Sequence, residues 1–257
     1  MPLTSAALDR QASRAPRWGT VASRTVYFGH QSVGRDLIAG INRLNCDGAI
    51  GLSVVQTDDP TSLTGPAFVH FLAGSNRDYA SKNAALLRLL KSRRSADGAI
   101  VLLKYCYVDL TGDHNPYDIF AAYCEMVETI QAEYPDVTVV HSTIPLTTVE
   151  TAFVAQTRNL IGRPTQRKAS IARHRYNQLL RAEFVGEQPM FDLARIEATR
   201  PDGRVATFMS HGSPIETLAV ENTYDGGHLT ARCQMIAAEA LLNVLAEVIE
   251  GSGVHSS

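Results

Sequence analysis

The chain has 257 residues, 45% of them hydrophobic and 19% charged, with a formal net charge of −2. That length is enough for a full hydrophobic core, and the composition is that of an ordinary soluble globular protein. The near-neutral balance excludes a broad basic surface for nucleic acid or anionic membrane, and no run approaches the roughly twenty apolar residues of a membrane span.

Residues 1–23 read as a polar N-terminal extension without the apolar stretch of a signal peptide. The chain as it stands is therefore expected in the cytoplasm, or in a secreted or periplasmic setting had a leader been removed. Residues 24–250 read as one domain and 251–257 as a flexible tail. Thr25-Val-Tyr-Phe28 has the β-branched and aromatic character of a buried strand. Val33, Leu37, Ile38, Ile41 and Leu44 then fall at helical spacing. A second strand is predicted over 49–56 and a turn-rich connection over 58–66, with 67–78 a loop holding a short strand or helical turn. A helix follows over 79–94, where Arg88, Lys91, Arg93 and Arg94 form a solvated face.

The apolar run 99–108 is the clearest central strand. After the loop 109–117, Asp118 is expected to cap a helix to about Glu133. The next strand covers 137–144, closed by Pro145, and a long polar connection covers 146–163. Pro164 opens a helix of about 165–184. A short strand at 189–193, a loop over 195–224 and a helix from about Thr230 to Ile249 complete the chain. About five alternations of strand and helix predict a single three-layer α/β domain, its parallel sheet in flavodoxin-like order with helices on both faces. In such sheets ligands bind at the strands' carboxyl ends, where Ser32, Asp109 and the loop 211–228 would collect.

Two loops carry candidate chemistry. The turn Gly29-His-Gln-Ser-Val-Gly34 places Ser32 where a strand becomes a helix, so that the helix's free N–H groups point at whatever binds there. Alone, Ser32 reads as an N-cap. At the far end, Asn222-Thr-Tyr-Asp-Gly-Gly-His-Leu229 holds Asp225 three residues before His228, close enough for the carboxylate to orient the imidazole. A hydroxyl, an imidazole and a carboxylate are the parts of acyl-transfer chemistry. Together they favour Ser32 as nucleophile, His228 as base and Asp225 as its partner. The G-x-S-x-G elbow is absent, since the spacing is Gly29-x-x-Ser32-x-Gly34.

From about residue 24 to 248 the chain resembles the SGNH (GDSL-type) hydrolases. In that family a nucleophilic Ser follows the first strand and D-x-x-H precedes the last helix. Asp225-Gly-Gly-His228 matches the second block, whereas Gly29-His-Gln-Ser32 has one residue more than Gly-Asp-Ser, and a His for its Asp. The resemblance implies an esterase acting on a small acyl ester, with O-acetyl on a carbohydrate as a narrower guess. An acyltransferase with the same acyl-enzyme, or a non-catalytic glycan- or ligand-binding domain, are the alternatives. It also implies an oxyanion hole from the Ser32 or Val33 amide, a Gly after the second strand and an Asn after the third. Gly74 is the candidate Gly. Tyr107-Val-Asp109 stands where the Asn would be, with Asn76 a substitute from the other loop. His30, Gln31 and Asp109 are candidates to line the substrate pocket, Asp109 as a protonated group or a structural cap.

No metal and no cofactor are expected. The histidines at 70, 114, 141 and 211 match no ligand spacing. The four cysteines form no C-x-x-C pair, and Cys106, Cys124 and Cys233 read as buried free thiols.

Overall fold

A computed structural model describes residues 17–93, 98–149 and 166–253. Strand β1 (Val26–His30) is buried along its whole length and leads at once into helix α1 (Val33–Leu44). There follow β2 (Val54–Gln56), β3 (Phe68–Leu72), α2 (Tyr79–Ser92), β4 (Ile100–Leu103) and α3 (Pro116–Glu133). The short strands β5 (Thr138–Val139) and β6 (His141–Ser142) come next, then α4 (Gln166–Phe184), β7 (Met190–Phe191) and α5 (Leu193–Ala198). The hairpin β8 (Thr207–Ser210) and β9 (Ser213–Glu216) precedes the last helix, α6 (Ala231–Gly253).

Five strands pair in parallel in the order β2-β3-β1-β4-β5, and β6 pairs in parallel with β7. Side chains alternate across the central strands, as strand geometry requires. Val26, Phe28, Phe68 and Leu102 face α1 and α6, where they meet Leu37, Ile41, Leu241 and Leu245. Tyr27, Val69, Val101 and Leu103 face the other way, toward Leu86 of α2, Ile130 of α3 and Tyr176 of α4. This is the three-layer α/β domain that the strand–helix alternation predicts. Setting the edge strand β2 aside, the first strand lies inside the sheet with a neighbour on each side, the reversal of a flavodoxin-like order. That switch point, at the carboxyl end of β1, is where the chain turns through Ser32.

Several predicted boundaries move. The strand expected over 49–56 shrinks to the edge strand β2, because Gly48 and Gly51 hold φ of 73° and 71° and break extension before it. Of the short strand or helical turn expected within 67–78, the strand is found: β3 lies between β2 and β1. The 99–108 strand stops at Leu103, and Tyr105 and Cys106 are buried beyond the sheet. Asn115, not Asp118, caps α3, its side chain accepting from the Tyr117 amide (3.2 Å), because Pro116 fixes the first helical residue. The loop expected over 195–224 holds most of α5 and the β8–β9 hairpin. Its two-residue turn, His211-Gly212, has positive φ at both residues, as a tight hairpin demands.

The expected polar extension is corrected over its described part. Trp18 is buried and donates from Nε1 to Asn243 Oδ1 on α6 (2.8 Å), and Arg17 pairs with Glu250 (3.0 Å). The helix α6 runs through Gly253, so the start of the expected tail is helical. Residues 1–16, Arg94, most of the 146–163 connection and Pro164 lie outside the described residues. On the expected solvated face of α2, Arg93 instead pairs with Asp136 (2.5 Å). Cys106 and Cys233 are buried, Cys124 partly so and Cys46 exposed, all as free thiols. Among the described residues no helix is long and apolar enough to cross a membrane.

Candidate active site

Ser32 sits between β1 and α1 with φ 48° and ψ −111°, a region L-residues rarely occupy. Its side chain makes no capping bond to the helix, so the N-cap reading is corrected. The hydroxyl instead meets His228 Nε2 at 2.8 Å. The tight turn depends on Gly34, where a Cβ would stand 2.4 Å from the His30 ring.

His228 is delivered by a self-bonded loop. Asp225 Oδ1 accepts from the amides of Gly227 (2.9 Å) and His228 (2.7 Å), while Oδ2 meets the imidazole at Nδ1 (2.7 Å). Burial acts to raise the Asp225 pKa, but bonds from the His228 amide and ring and the Gly227 amide outweigh it, bringing it to about 2. An ionised Asp225 accepts a proton bond from Nδ1, which leaves Nε2 free to accept from the Ser32 hydroxyl. Thr223 Oγ1 donates to the His228 carbonyl (2.6 Å), and Thr148 N donates to the Gly226 carbonyl (2.9 Å). From α1, the largely buried Asp36 accepts from Leu229 N and from Gln234 Nε2, both at 3.0 Å. The serine's helix and the histidine's loop are thereby joined directly.

The other sequence candidates divide. Gln31 donates from Nε2 to the Gly74 carbonyl (3.0 Å), so the residue before Ser32 holds the loop after β3. Gly74 has φ 49°, and a Cβ there would press within 2.6 Å of the Lys82 amide. Asn76 turns its Oδ1 toward Lys82 Nζ (3.4 Å). His30 is corrected from pocket lining to core: it is 1% exposed, stacked on Phe28, with Nε2 3.1 Å from His70 Nδ1. Burial, then the positive charge of Lys104, pushes its pKa down to about 3. Asp109 is corrected likewise. It is fully buried, ion-paired with the equally buried Lys82, and accepts from the amides of Arg77 (2.7 Å) and Cys106 (2.6 Å). It is the structural cap of the two readings, closed off from any ligand.

Of the remaining histidines, His114 bonds Thr111 and His141 bonds Tyr123 and Gln188, while His211 sits in the hairpin turn. Among the described residues no cluster of three or more His, Cys, Asp or Glu is placed to hold a metal ion.

A cleft of about 320 Å³ lies on the Asp225 side of the relay, lined by Tyr107, Thr147, Thr148, Gln166, Asp225 and Gly226. Buried Arg173 on α4 braces it, donating to the Tyr107 carbonyl (2.9 Å) and to Thr147 Oγ1 (2.7 Å). Asp36, Thr148 and Arg173 were not singled out from sequence, and Tyr107 was noted only as part of the segment standing where the family's Asn would be, since each reaches the site through tertiary packing. A larger cavity of about 430 Å³, lined by Arg24, Tyr27, Pro60 and Leu63 among others, opens at the amino ends of the strands, away from Ser32.

No family model and no curated protein matches the chain. Solved structures similar to it include the periplasmic domain of a lipopolysaccharide acetyltransferase from Salmonella Paratyphi A, at 12% identity over 92% of this chain and 88% of that one, TM-score 0.48. An aryl esterase of M. smegmatis is 13% identical over 89% of this chain and 99% of its own, TM-score 0.45. A carbohydrate acetylesterase from Sinorhizobium meliloti is 13% identical over 77% and 99%, TM-score 0.40. At these identities the likeness concerns the fold alone.

Proposed function

We propose that this chain is a divergent serine hydrolase of the SGNH type, cleaving a small acyl ester through an acyl-enzyme. One observation carries the reading: an unbroken relay from Ser32 Oγ through His228 to Asp225, at 2.8 and 2.7 Å, built on a strained serine at the sheet's switch point. A helix cap needs neither the strain nor the imidazole.

In the proposed reaction Ser32 Oγ bonds to the acyl carbon as its proton passes to His228 Nε2. The carbonyl π electrons move onto oxygen, giving a tetrahedral anion beside the amides that open α1, with the Gly74 amide proposed as a second donor. His228 then returns the proton to the departing alcohol oxygen, leaving the acyl group on Ser32. Water attacks in the second half, losing its proton to the same nitrogen; the acyl carbon–Oγ bond then breaks, His228 returns the proton to Ser32 Oγ, and the carboxylic acid leaves. Asp225 holds the ring and stabilises its cationic form throughout. An O-acetylated carbohydrate is the proposed substrate class. An alcohol in place of water would make the same intermediate an acyltransferase's.

The test is hydrolysis of p-nitrophenyl acetate by the purified chain and by Ser32→Ala. A loss of about 10⁴-fold or more in kcat is expected of a residue acting within such a unit. Equal rates in the two proteins would discard the relay as catalytic. Added alcohol acceptors that raise turnover at constant acyl-enzyme would assign a transferase.

A further inference from the structure

Tyr105, Tyr123 and Tyr176 are each 2% exposed or less. Tyr107 is different: it is only partly buried and lines the cleft beside Asp225. Its ring meets the His228 imidazole edge-on, centroids 6.4 Å apart. Its hydroxyl runs close to Gly227, where an added Cβ would lie 3.1 Å from it and require the ring to give by a few tenths of an ångström. Burial raises that phenol's pKa, and interaction with the Ser32 side chain works against it.

The backbone holds the ring there firmly. Arg173, 2% exposed, grips the Tyr107 carbonyl from α4, and its second nitrogen bonds Thr147 Oγ1 and Ser170 Oγ (2.7 and 3.1 Å). From the other side the Asp109 amide closes a turn on the Cys106 carbonyl (3.0 Å), while its carboxylate caps the Cys106 amide. A partly buried tyrosine fixed at both flanks, its ring edge-on to His228 and its hydroxyl beside the D-G-G-H loop, brings a hydrogen-bond donor to the cleft.

We propose that the Tyr107 hydroxyl donates a hydrogen bond to the charged oxygen of the tetrahedral intermediate formed on Ser32. This rests on Ser32 being the nucleophile. The phenol keeps its proton and stabilises charge without transferring it, so His228 remains the only group that moves a proton. Burial, and then the nearby Asp225 charge, hold the phenol above its ordinary pKa, which keeps it a donor through neutral and mildly alkaline pH.

The experiment compares wild type, Tyr107→Phe and Ser32→Ala. Phenylalanine keeps the ring and removes only the donor. Loss of one such donor lowers kcat by roughly 10²–10³-fold, with KM expected within about two-fold. Affinity for phenylboronic acid, which forms a tetrahedral anion on a serine, is expected to fall in step with kcat, while affinity for the product acid is unchanged. A kcat within about three-fold of wild type, or a raised KM at unchanged kcat, overturns the proposal and leaves Tyr107 a wall of the cleft. A fluorophosphonate probe separates this from failure of the Ser32 reading: Tyr107→Phe is expected to label at Ser32 slowly but to completion, and Ser32→Ala not at all. Wild-type chain that neither labels nor outpaces Ser32→Ala sinks both ideas together. Should Tyr107→Phe fail to fold, 3,5-difluorotyrosine at position 107 takes its place. Its more acidic phenol is expected to move the alkaline limb of kcat to lower pH, and an unmoved limb counts against the role.

Discussion

An L-residue held at φ 48° and ψ −111° stores strain, and at Ser32 no capping bond offsets it. Such backbone costs about 1–3 kcal/mol, and glycine adopts it freely at an entropic cost of about 0.5–1 kcal/mol. Ser32→Gly is therefore expected to raise stability by about 1 kcal/mol in urea unfolding while abolishing ester hydrolysis. An active, or a less stable, Ser32→Gly protein would show that the conformation serves neither purpose. At this scale legibility follows locality. Asp225 and His228 were readable because a carboxylate three residues before an imidazole can reach it within one loop. Tyr107 was not, since its ring comes edge-on to His228 only through tertiary packing, with Arg173 holding its carbonyl from 66 residues away. His30 misled for a related reason. A polar residue beside a nucleophile looks like pocket lining until the fold turns its ring into the core.

Between elements, the contact that sets the site is α1 against α6. Gly40 lets them close: a Cβ there would stand 2.3 Å from the Gln234 carbonyl oxygen and 2.8 Å from Ala238. Backbone cannot give way as a flexible side chain can. Gly40→Ala is expected to cost about 1–3 kcal/mol as overpacking, and to lower kcat because Asp36 and Leu229, which tie the two helices beside His228, must part. Unaltered kcat in a destabilised protein would uncouple that packing from the site. The helices themselves were legible from apolar spacing, and the long buried strands from their runs. Sequence left β3 open between strand and helical turn, because His70 breaks its apolar run, and it hid the β8–β9 hairpin, whose His-Gly turn is an uncommon signal.

For the whole molecule, buried ionisable groups set opposing pH dependences. Burial, followed at His30 by the Lys104 charge, lowers His30 to about 3 and His141 to about 4. Unfolded histidines take up protons near pH 6.5, so stability is full above that and declines as pH falls toward 3. Glu197, fully buried, is raised to about 8 by burial. Its unfolded carboxyl ionises near 4.5, so its effect runs the other way, with stability falling as pH climbs from 4.5 to 8. The windows overlap between pH 4.5 and 6.5, where the gain from two histidines outweighs the loss from one carboxyl, so wild type is expected to be most stable near pH 6.5, and Glu197→Gln to lose the decline above that while keeping the acid one. A Glu197→Gln profile identical to wild type would remove Glu197 from this account. One further consequence lies in the 196 residues that separate Ser32 from His228. Closing a loop of that size costs about 5 kcal/mol of chain entropy, and the relay itself returns little of it. Turnover is thus a property of long-range docking rather than of either loop. On dilution from urea, activity is expected to return no sooner than amide protection of α1 and α6, which makes ester hydrolysis a direct clock for the slowest, highest contact-order step of folding.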